Sequence, residues 1–171
     1  MQKSVLWIFF IFIQIKNISF SQIIKVDSVI TDNSLKGYSV TNLFDGNNQS
    51  SWRTETISQF TVYFKETKDI KKIIFYLGDS LKANEFTKPL QMYVHFYHLE
   101  KENDSSPYEY VDVTIPLRFR KNHGFVEFEL KNSVLADEIC FSFEKLYKGK
   151  SPILEIHEVI LKGEEDLEEE F

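Results

Sequence analysis

Short apolar runs alternate with polar turns through most of the chain. The segments Ile23 to Ile30, Phe60 to Phe64, Ile70 to Leu77, Leu90 to Leu99, Tyr108 to Leu117, Phe125 to Leu130, Glu138 to Phe143 and Ile153 to Leu161 are rich in Val, Ile, Phe and Tyr, the residues that fit a half-buried pleated surface. They predict about eight strands. No segment sustains a 3.6-residue apolar period between helix caps, so the pattern predicts an all-β fold, an antiparallel sandwich or jelly roll with few helices. The run from Leu90 splits into two rows. Leu90, Met92, Val94, Phe96 and His98 form the predicted core row, with His98 tethered at its end. Gln91, Tyr93, His95, Tyr97 and Leu99 form the opposite one. Glu100 to Pro107 reads as a polar hairpin connection.

The first residues follow a different logic. Lys3, the apolar stretch Val5 to Ile15 and the small residues Ser19 and Ser21 match a secretory signal cleaved before Gln22. The apolar stretch is interrupted by Gln14 and Lys16 and is shorter than the roughly 20 residues a spanning helix needs. The expected organisation is therefore a signal peptide at 1–21, one domain at 22–163 and an acidic disordered tail at 164–171. A domain of that size buries roughly two thirds of its unfolded surface. With Cys140 the only cysteine, an exported chain must be held by packing and not by disulfides. Its neighbours Ile139 and Phe141 predict an inert, buried thiol.

The formal charge is −6. Loss of Lys3 and Lys16 with the leader takes it to −8, and Glu164, Glu165, Asp166, Glu168, Glu169 and Glu170 carry all but two of those charges. A mildly acidic body without clustered Lys and Arg argues against nucleic-acid partners, and no second apolar stretch is long enough to span a membrane. A nucleophile elbow, zinc-spaced His pair, phosphate loop and Cys–His signature are all missing, which sets enzymes aside. Asn48-Gln49-Ser50 and Asn103-Asp104-Ser105 fit the glycosylation sequon.

The stretch Asn42 to Trp52 carries the most specific signal. Asp45-Gly46 forms a turn in which the carboxylate accepts backbone N–H groups and Gly supplies positive φ. Asp, Asn and Ser oxygens at this spacing also suit a calcium ion, or the turn closes on its own hydrogen bonds. Trp52 is expected to bury its ring and satisfy its N–H locally.

Asp45-Gly46, Ser50 and Trp52 resemble the pattern of discoidin-like domains, the coagulation-factor type C or galactose-binding-like fold. Tyr147 to Ile156 is similar to the closing stretch of the bacterial NADase-type glycan-binding relative. The resemblance spans about Ile23 to Gly163. It implies a secreted or cell-surface, non-catalytic module that binds a glycan or an extracellular protein through loops at one end of a jelly roll. The ligand residues it suggests are Arg53, Asn84, Phe86, His123 and Tyr147. It also implies a structural calcium held by Asp45, Asn47, Ser50 and one of Glu155 or Glu158, with the register between these two open. Leu77-Gly78 stands where the family has Asn-Gly, Lys88 where it has Arg and Leu154 where it has Ser. Those departures favour the alternative of a protein-interaction domain on the same scaffold.

Overall fold

The computed structural model describes residues 22–56, 58–78, 85–100, 109–120 and 124–163. The expected leader (1–21), the acidic tail (164–171), Asn84 and His123 lie outside them. The strands in chain order are β1 (Ser28–Thr31), β2 (Trp52–Thr54), β3 (Gln59–Tyr76), β4 (Lys88–Glu100), β5 (Glu109–Arg118), β6 (Phe125–Tyr147), β7 (Leu154–Ile156) and β8 (Glu158–Lys162). One 3-10 helix, Val40–Phe44, precedes the Asp-Gly turn and is capped by Ser39 Oγ, which accepts from Thr41 N. All strand pairings between these elements are antiparallel.

Two long strands shape the molecule. The first half of β3 pairs with β1 and with the second half of β6, while its second half pairs with β8 and with the first half of β6. β4 continues the larger layer beside the second half of β6, and β5 forms its edge. The result is two layers, β5-β4-β6-β3-β1 and β6-β3-β8, sharing two bent strands. A separate pair, β2 with β7, closes one end.

Four of the predicted runs thus belong to two strands. Residues 65–69 are polar and residues 131–137 mix polar with apolar side chains, and neither stretch contains Gly or Pro. Without a tight-turn residue the chain bends and keeps pairing, with the β3–β6 register shifting between Tyr63 and Lys68. Conversely, the run Ile153 to Leu161 is two strands, because its first part pairs with β2 and its second with β3.

Alternation assigns the core. Met92, Val94 and Phe96 of β4 are buried, as are Phe60, Phe75, Ile139 and Phe141. Phe75 and Phe141 meet edge to face across the layers with centroids 6.0 Å apart. Trp52 is wholly buried against Phe60 and Phe143, and its Nε1 donates to Ser34 Oγ at 2.9 Å. Cys140 departs from expectation: with Ile139 and Phe141 facing inward, strand alternation turns it to the outer face, where it is half-buried. Burial still pushes its thiol up, which keeps it protonated and unreactive.

Candidate functional site

The β2–β7 pair places Arg53 opposite Glu155. Arg53 Nε donates to Glu155 Oε1 at 2.7 Å and Nη2 reaches the same oxygen at 2.6 Å. The guanidinium lies over the Tyr38 ring at 4.0 Å and the Phe86 ring at 4.5 Å, so both its charge and its plane are fixed. Glu155 is itself buried. Burial raises its carboxyl, but hydrogen bonds and charge from His157 and Arg53 outweigh that and hold it below the usual range.

His157 sits in the break between β7 and β8. Its Nδ1 is 2.9 Å from the Asn48 carbonyl; a carbonyl only accepts, so Nδ1 carries the proton. Nε2 faces Glu155 Oε2 at 3.4 Å. Gly78, at φ +83°, lies beneath this ring, and a Cβ there would come within 2.6 Å of Nε2. The bareness of Gly78 is what admits His157.

Around this cluster opens a depression of about 720 Å³ at the end of the sandwich. Asn48 and Gln49 form one wall. Tyr76 and Gly78 come from the end of β3, Glu85, Phe86 and Lys88 from the approach to β4, and Arg53, Glu155 and His157 from the closing pair. Flat ring surface beside fixed donors and acceptors is the chemistry that recognises a sugar, whose C–H faces stack while its hydroxyls hydrogen-bond.

Of the ligand residues expected from sequence, Arg53 and Phe86 come together here. Tyr147 ends β6 opposite Lys88, with its hydroxyl toward the Phe119 carbonyl, and it does not line the depression. Tyr38 and His157 carried no motif signal. The β2–β7 pairing brings in His157, and the hydrogen bonds of Leu35 N to the Arg53 carbonyl and of Tyr38 N to the Leu35 carbonyl bring in Tyr38.

The expected calcium residues separate into two places. Asp45 Oδ1 accepts from Asn47 N at 2.9 Å, its Oδ2 accepts from Ser50 Oγ at 2.7 Å, and that hydroxyl also reaches the Asn47 carbonyl. Glu158 is buried, and its carboxyl is pushed up first by burial and then by the charge of Asp45. Glu155 instead belongs with Arg53. Among the described residues no three acidic, His or Cys side chains converge on one point. Asp45 Oδ2, Ser50 Oγ and the Asn47 carbonyl lie within one turn, and Glu158 is linked to that turn through the charge of Asp45.

No family model and no curated protein matches the sequence. Solved structures do match its fold. The family 32 CBM of Clostridium perfringens NanJ in complex with galactose is 13% identical, with a TM-score of 0.57 over 78% of this chain and 91% of that one. The CBM32-1 and CBM32-2 pair of C. perfringens ZmpB is 17% identical, with a TM-score of 0.62; 82% of this chain aligns, covering 36% of that longer chain. The CBM32 of AlyQ in complex with 4,5-unsaturated mannuronic acid is 13% identical, with a TM-score of 0.55 over 82% and 97% of the two chains. This chain therefore has the discoidin-like, galactose-binding-like β-sandwich fold of the family 32 carbohydrate-binding modules.

Proposed function

We propose that the mature chain is an exported, non-catalytic module that binds a glycan in the depression between Arg53, Phe86 and His157. The observation that carries this reading is the fixed guanidinium, held between two aromatic rings and clamped by a buried carboxylate. Such an arrangement offers a pre-set polar edge and ring surface at little ordering cost. Solved modules of this fold bound to sugars support the ligand class.

A structural calcium fits the same reading. Asp45, Ser50 and the Asn47 carbonyl would hold it together with Glu158, and its charge would relieve the repulsion between the two carboxylates. The loop so stiffened includes Asn48 and Gln49, which wall the depression.

A glycan array probed with the purified protein, with and without calcium, tests the function. Binding to at least one glycan is expected, and Arg53→Ala should weaken it about tenfold or more. An array without a hit, beside a specific protein captured by pull-down, would favour the protein-interaction alternative.

A further inference from the structure

The outer face of the five-stranded layer holds a second depression of about 480 Å³ that shares no lining residue with the first. Its floor is made by small side chains. Cys140 stands opposite Thr61 on β3 and His95 on β4, and Ser142 lies two residues further along β6 on the same face. Its walls are rings. Tyr63 rises from β3, while His95 and Tyr97 rise from β4 with centroids 6.2 Å apart and planes within 12° of parallel. Tyr93 extends the row at 6.3 Å from His95.

The polar groups have a definite character. Thr114 donates to Asp112 Oδ1, so its oxygen accepts from His95 Nδ1 at 2.9 Å. Glu138 and Asp32 line the depression with Gln59, and among the described residues neither Lys nor Arg does. A row of flat half-buried rings stacks on the C–H faces of successive sugar units, and the surrounding acceptors take hydroxyl protons. Two carboxylates without a facing cation repel uronate, sialate or phosphate groups.

We propose that this trough is a second glycan-binding site, taking an uncharged polysaccharide chain laid along β6, independently of the loop-end site. The two sites would let one module hold a terminal sugar and a chain interior together, adding avidity without a second domain.

Affinity electrophoresis through gels containing xyloglucan, galactomannan or mixed-linkage β-glucan, with polygalacturonate as the acidic control, tests it. The wild type, Tyr97→Ala, His95→Ala and Arg53→Ala would be compared, each checked for native circular dichroism. At least one neutral polysaccharide should retard the wild type while polygalacturonate should not. Tyr97→Ala and His95→Ala should each weaken that retardation roughly tenfold, and Arg53→Ala should lower it by less than either, through lost avidity alone. Should Tyr97→Ala fail to fold, His95→Ala decides the matter alone. The proposal is overturned if no neutral polysaccharide retards the wild type, or if folded aromatic variants run like the wild type. Loss through Arg53→Ala alone would overturn it too, leaving the loop-end site intact.

Discussion

Asp137 gathers three hydrogen bonds at the corner where the long strands change layers: from Thr67 Oγ1 at 2.6 Å, His98 Nδ1 at 2.8 Å and Leu99 N at 2.7 Å. His98 is thus the tethered strand-end residue that its sequence position suggested. Burial raises the Asp137 carboxyl, but these bonds together outweigh burial and lower it. A carboxyl lowered on folding contributes stability above the unfolded pKa and loses it as pH falls through the folded one. Thermal melts below about pH 4 should therefore fall less steeply for Asp137→Asn than for the wild type, while at pH 7 the variant should melt lower. Glu158 works in the opposite sense. Its raised carboxyl costs stability at neutral pH, and that cost disappears on acidification towards the unfolded pKa. In chelator, Glu158→Gln should melt at or above the wild type at pH 7. In millimolar calcium the order should reverse, because the wild type alone gains the linkage term and Asp45→Ala loses it as well. A wild-type melt unmoved by calcium would remove the ion from the account.

At the scale of elements, the three-residue pair β2–β7 decides the site. A strand of three residues after a Ser-rich loop gives too short a pattern to read, and β2 is the one strand absent from the sequence expectation. Its partner was visible only as the start of a longer run, because apolar alternation carries no information on which neighbour a strand joins. The loop from Asp45 to Trp52, by contrast, was legible: Gly46 has φ +73° and the Asp45 carboxylate caps the turn as its side-chain chemistry requires. Gly78 offers a test of how elements build the cluster. Gly78→Ala meets both an unfavourable φ and the His157 ring. It should cost roughly 1 kcal/mol or more in stability, and it should weaken glycan binding by displacing His157, measured by denaturant melts and the array in parallel.

For the whole molecule, the pairing of β3 with both β1 and β8 joins segments from the two ends of the domain. Long-range antiparallel topology of this kind closes large loops before contacts reward them, so refolding is expected in milliseconds to seconds and not microseconds. In a protein prepared from residue 22 onward, Trp52 is the sole tryptophan. It stands at 0% exposure among Phe60 and Phe143, so stopped-flow fluorescence reads closure of the sandwich end directly. Single-phase refolding with a blue-shifted endpoint is the expected trace. Truncating Trp52 to Ala should cost about 3–5 kcal/mol, as a deleted buried aromatic does.

The strand-rich fold class, the inward row of β4, the capped Asp-Gly turn and the buried Trp52 all follow from periodicity and side-chain chemistry that act within a few residues. Those features the sequence determined by itself. The bends that merge four runs into β3 and β6, the outward turn of Cys140, the clamp joining Arg53 to Glu155 and the arrival of Tyr38 and His157 depend on which strands become neighbours. That choice is made by the packing of apolar faces across the whole sandwich, and no local pattern encodes it.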